Sequence, residues 1–195
     1  MVPFLRLFRC FLSLLLWAAF VAGAEEAPPQ ARITPDDIRF TRTGDGFRVE
    51  ATIVAPVPLD IAWQVLTDFE HMARFIPNLE RSSVVSRKGN SLLVDQQGKI
   101  HFGPFSMVFG STRDVVLQPM REIRARQITG TARSMDSTMR LQPIAEGTLL
   151  EYRADVVPDS YLPPMFGPGA VRREMADQFA AILSEMRTRA MTASR

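Results

Sequence analysis

From Pro168 to Met191 the chain carries the periodicity of one long amphipathic helix. At roughly 100° per residue, Val171, Met175, Phe179, Ile182, Leu183 and Met186 share about 120° of arc. Arg173, Asp177, Ser184 and Thr188 lie opposite. Arg173–Asp177 and Glu185–Arg189 are i,i+4 pairs on the wet side, each worth ~0.3 kcal/mol. Gly167-Pro168-Gly169 stops whatever comes before, and Pro168 is accepted at a first helical position. Burying the stripe, at ~1.5–3 kcal/mol per side chain, is worth on the order of 10 kcal/mol. That equals the net stability of a small domain. The helix therefore needs a large apolar surface to lie on, and the chain before it reads as a sheet built to receive it.

The sheet starts with a hairpin. Ile38 to Arg42 alternates, Gly44-Asp-Gly46 turns, and Phe47 to Val54 alternates again until Pro56 and Pro58 end the strand. From Leu59 the period becomes helical, with Ile61, Ala62, Val65, Leu66 and Phe69 on one face. Asp68 is positioned to cap a second short turn through Met72, and Phe75-Ile-Pro77 closes the unit. Strands are then expected over 79–87, 91–102, 105–117, 122–129, 132–142 and 148–157, separated by Gly, Pro and Asn breaks. The short connections predict an antiparallel meander. Leu150, Tyr152, Ala154 and Val156 share one face, as do Met135, Met139 and Leu141, and likewise Phe105, Met107 and Phe109. The order of elements predicts an α+β fold. A curved antiparallel sheet would wrap around the C-terminal helix in the helix-grip manner, with no internal repeat.

The first residues read as an address. Arg6 and Arg9 precede an apolar run from Phe11 to Val21, too short to span a bilayer, and Ala22-Gly-Ala24 is a small-residue cleavage site. We expect a signal peptide over 1–24, a flexible Pro-rich leader over 25–36 and one folded domain over 37–191, placed in the periplasm or secreted. Cutting after Ala24 leaves 171 residues of the 195, with Lys+Arg reduced from 23 to 21 against 21 Asp+Glu. A neutral chain without a basic run has no field for phosphate backbones, so nucleic acid is excluded as partner. The single cysteine, Cys10, leaves with the signal, so neither disulfide nor thiol chemistry is expected.

Ala55-Pro56, then Ile61-Ala-Trp-Gln-Val-Leu-Thr-Asp68, Phe75-Ile-Pro77 and the terminal helix resemble the START-related lipid-transfer superfamily. That superfamily also holds polyketide cyclases, pollen-allergen-like proteins and coenzyme Q-binding START-domain proteins. The resemblance covers about residues 47–190 and lies near the coenzyme Q-binding branch, from whose pattern Asn78-Leu-Glu80 departs. It implies a long, mostly apolar cavity between sheet and final helix.

The residues support such a cavity independently. Met107, Met135, Met139, Met175 and Met186 fall on expected inner faces beside Phe109, Tyr152 and Phe179, and methionine suits irregular apolar shapes. Ordinary core filling is the alternative. Counting by twos from Phe105 brings Arg113 to the inner face, where a buried arginine needs a partner, a ligand oxygen or an internal acid, unless it snorkels past a bulge at Gly110. Tyr161, Met165 and Phe166, on a Pro-rich loop before the helix, read either as a gate that touches ligand or membrane, or as a loop folded onto the core. The catalytic inventory is thin. His71 and His101 lack metal-ligand spacing, and there is no nucleophile elbow or phosphate loop. No cofactor or metal is implied. Two functions lead, a carrier of a lipid, quinone or other hydrophobic molecule and a cyclase or dehydratase polarising a carbonyl with Arg113 and Tyr152, and a plain interaction module with a filled core is the third.

Overall fold

A computed structural model of the protein describes residues 33–102, 105–159 and 167–193. The expected signal peptide and most of the expected leader lie outside them. The folded unit begins earlier than residue 37. Pro35–Asp37 forms a 3-10 turn, fixed by the Asp37 carboxylate, which accepts from the Thr34 amide at 2.7 Å and the Thr34 hydroxyl at 2.8 Å. Ile33 packs on the core ahead of it. These local bonds and the packing of Ile33 together order the stretch in a proline-rich context.

Strands β1 (Ile38–Thr43) and β2 (Gly46–Ala55) form the hairpin, and helix α1 spans Leu59–Thr67. A 3-10 turn at Met72–Arg74 follows. Strands β3 (Leu79–Lys88), β4 (Ser91–Phe102), β5 (Phe105–Gln118), β6 (Glu122–Gly130), β7 (Ala132–Ile144) and β8 (Gly147–Pro158) complete the sheet before helix α2 (Pro168–Ala193). Each expected strand is present, with ends displaced by a residue or two. The short turn differs. Asp68 ends α1 as its C-cap, and the 3-10 turn that follows has His71 at its N-cap.

The eight strands are antiparallel in the order β1-β2-β8-β7-β6-β5-β4-β3. The meander from β3 to β8 follows chain order, and β2 then pairs with β8 from Phe47↔Val156 to Ala55↔Thr148. This long-range pairing seats the N-terminal hairpin beside the last strand. Gly147 permits it: its φ is +135°, and a Cβ there would collide with the Ala55 carbonyl. Register slips at Thr112/Arg113 between β5 and β6, and twice between β3 and β4, bend the sheet.

α1 buries Ile61, Ala62, Val65 and Leu66, the face that its period predicts. α2 packs most closely against α1, the Pro35–Asp37 turn, β1 and β2. Phe179, Ile182, Leu183 and Met186 are buried on its stripe, together with Ala176. Val171 and Met175, on the same stripe, are only half-buried. The helix is seated on one side of the curved sheet, and its first turns face β5–β8 across a gap.

A candidate ligand cavity

That gap is a cavity of about 970 Å³. It sits at the upper end of the roughly 300–1,000 Å³ usual for small-molecule sites. Alternation on the strands delivers its walls. β5 contributes Met107, Phe109 and Arg113, β7 contributes Met135 and Met139, and β8 contributes Tyr152. Met175 and Phe179 face them from α2. All eight cavity residues expected from the sequence thus border one space. Met186 does not: it is fully buried in the solid core. The expected gate, Tyr161, Met165 and Phe166, lies outside the described residues, as does the side chain of His101.

Further residues border the cavity that the sequence reading did not single out. Leu66, Phe69, Met72 and Ile76 close one end from α1 and the segment after it. Ser111 and Ser137 share strand parity with Phe109 and Met135, so counting by twos would have found them. Gln96 was detectable as a polar residue in phase with buried Leu92 and Val94. Gly98 lets β4 and β5 close tightly, because a Cβ there would meet the Phe109 ring and the Asn78 carbonyl.

A polar patch on the cavity wall is built across β4, β5, β7 and β8. Gln96 and Arg113 are diagonal neighbours, since Gln96 pairs with Ser111 and Val94 with Arg113. Arg113 Nη2 donates to Gln96 Oε1. Gln96 Nε2 in turn donates to Ser82 Oγ at 2.9 Å and approaches Met72 Sδ at 3.5 Å. Arg113 Nε is buried without a hydrogen-bond partner. Burial pushes the guanidinium below the usual arginine range. Tyr152 stacks edge-on against Phe179, with ring centres 5.2 Å apart. Burial drives its phenol up, against the opposing pull of Arg113 and the nearby Ser137 hydroxyl. It therefore stays protonated and can donate.

Two polar clusters pin the segment that closes the cavity's α1 end. Arg189 on α2 donates to Asp68 at 2.8 Å and to Glu185 at 2.7 Å, and its guanidinium carbon lies 5.9 Å from the Phe75 ring centre. His71 Nδ1 lies 2.7 Å from Asp68. Burial raises the Asp68 carboxyl, but the His71 and Arg189 bonds outweigh it and hold the group below its ordinary range. At the other end Asn78, at φ +64°, donates to both Glu174 oxygens at 3.1 and 3.2 Å. Arg124 and Arg126 lie on the outer face, paired with Glu122 and Asp136. Among the described residues no group of three or more His, Cys, Asp or Glu side chains is placed to hold a metal ion.

Residues 55–183 match the model of a family described as polyketide cyclase / dehydrase and lipid transport. Solved structures share the fold. ZhuI, an aromatase/cyclase from Streptomyces sp. R1128, is 22% identical with a TM-score of 0.57, over 76% of this chain and 95% of its own. A START superfamily protein from Mycobacterium smegmatis is 15% identical with a TM-score of 0.59, over 75% and 98%. A STAR-related lipid transfer protein fragment from Xanthomonas axonopodis is 14% identical with a TM-score of 0.53, over 78% and 99%. No curated protein sequence matches.

Proposed function

We propose, for a chain that belongs to the polyketide cyclase / dehydrase and lipid transport family, that it binds and carries a hydrophobic small molecule between sheet and α2. The observation that carries this reading is the cavity of about 970 Å³ walled by methionine and aromatic side chains. Such walls give affinity through apolar area and adapt to an irregular ligand. Lipids and quinones are the ligand classes that fit it.

A pair of substitutions tests the reading. Met135 borders the cavity and is half-buried, whereas Met186 is fully buried in packed core. Met135→Trp is expected to keep the wild-type melting temperature and to weaken binding of a neutral fluorescent naphthylamine dye. Met186→Trp is expected to cost ~1–3 kcal/mol through overpacking. Equal destabilisation by both, with no dye bound by the wild type, would overturn the proposal.

Arg113 and Tyr152 in one wall favour a second reading, in which they polarise a substrate carbonyl. It predicts turnover of a poly-β-ketone thioester mimic that Tyr152→Phe abolishes, where a carrier returns the mimic unchanged. Export completes the proposal, supported by Arg6, Arg9, the apolar run and the Ala22-Gly-Ala24 site. Intact mass of protein recovered from the periplasm of an expressing bacterium is expected to start at Glu25, and a membrane-retained full-length chain would refute it.

A further inference from the structure

We propose that the carried molecule is an amphiphile with an oxyanion head, carboxylate or phosphate, and that Arg113 anchors this head inside the cavity. The inference rests on the carrier reading and names its ligand class. A guanidinium has five N–H donors and a charge that persists when buried. Here its contacts are neutral: Gln96 takes one donor, and Nε–H has no partner. The acids nearest in the strands are turned away. Asp95 alternates with inward Val94 and Gln96 and pairs with Arg81 at 2.6 Å, while Asp114 alternates with Arg113 and is exposed. Of the acids on the cavity wall among the described residues, Glu174 is engaged by Asn78 and by Gln178 at 2.8 Å, and Asp159, just past the end of β8, forms no ion pair with Arg113. Among the described residues no carboxylate meets the Arg113 guanidinium.

A buried cation held by a neutral amide costs stability, and folds retain such a group only with compensation. An incoming oxyanion supplies it. The head would accept from Nε–H and the remaining guanidinium hydrogens, in the charge-assisted geometry that arginine favours. The Tyr152 phenol, kept protonated by burial, is a second donor on the same wall. Methionine and phenylalanine side chains then cover the tail. A neutral hydrocarbon would fill the same volume and leave the cation unpaired.

The test is displacement of the neutral naphthylamine dye by palmitic acid, hexadecyl phosphate and methyl palmitate, from wild type, Arg113→Leu and Arg113→Lys. Wild type is expected to bind at least one acid roughly tenfold or more tighter than the ester. Whichever acid shows the preference identifies the head as carboxylate or phosphate. Arg113→Leu is expected to lose the acid preference, keep the ester affinity and melt at or above the wild-type temperature, since it removes an uncompensated charge. Arg113→Lys is expected to keep part of the preference as a point charge. Equal wild-type affinity for acids and ester, or an acid preference that survives Arg113→Leu, overturns the anchor and leaves the carrier standing. No displacement by any of the three compounds, and no dye binding, overturns both.

Discussion

Gln96 and Arg113 form an asymmetric pair, because the amide takes one donor of a cation that contributes little to stability in return. Removing Gln96 alone strands a buried charge, whereas removing both takes the charge away together with its partner. Gln96→Leu is therefore expected to cost ~1–3 kcal/mol, and Gln96→Leu with Arg113→Leu to recover most of it. Urea unfolding of the two single variants and the double variant measures the coupling, and additive effects would show that the pair does not interact. Gly98 acts sterically instead. Gly98→Ala puts a methyl into the Phe109 ring and the Asn78 carbonyl, so Phe109 has to move into the cavity. Thermal melting is expected to fall by several degrees and dye binding to weaken together.

Helix α2 does two jobs along its length. Its C-terminal half buries Leu183 and Met186, its N-terminal half leaves Val171 and Met175 to wall the cavity, and Ile182 is both buried and on the cavity wall. Phe179 stands at the junction, buried against Tyr152. Phe179→Asp places a carboxylate there without a partner and is expected to cost several kcal/mol, roughly 3–5, in denaturant unfolding. A native transition in that variant would contradict the seating of α2. The 68–78 segment depends on side chains of α2 at both ends, Arg189 at Asp68 and Glu174 at Asn78. Arg189→Met keeps the stem and removes the bonds. It is expected to cost about 1 kcal/mol, as for partly exposed ion pairs, and to speed hydrogen exchange in 68–78 more than in the sheet.

Three carboxylates tie separate parts of the molecule together and respond to acid in the same direction. Asp68 joins α1 to α2, Glu122 accepts from Arg140 and Arg124, and Asp155 from Arg48 and Arg153. Each is held below its ordinary range in the fold: Glu122 chiefly by the Arg140 bond, Asp68 and Asp155 by arginine and histidine bonds that outweigh the upward push of burial. A depressed folded value gives stability that is fully present above the unfolded pKa of about 4. That stability is lost as pH falls through the lower folded values. Melting temperature is expected to be flat on this account from neutral pH to about 5 and to drop below about 4. A melting temperature unchanged at about pH 3 would remove these three groups as contributors.

The alternation of β5, β7 and β8 and the period of α2 depend only on local geometry, which is why eight cavity residues were legible in the linear chain. Turn residues likewise marked each strand end within a residue or two. The pairing of β2 with β8 was not legible, because it joins residues about a hundred positions apart and no local signal encodes it. The division of α2 between core and cavity was equally hidden. Met175 and Met186 are alike on a helical wheel, and only the helix's position over one side of the curved sheet buries one and leaves the other on a wall. Arg113 shows the same boundary. Parity put it inside, but whether an acid met it there depended on the three-dimensional positions of Asp95, Asp114 and Glu174, each turned outward or bound elsewhere. Periodicity fixes which way a side chain points from its own backbone, whereas tertiary packing fixes what it finds there.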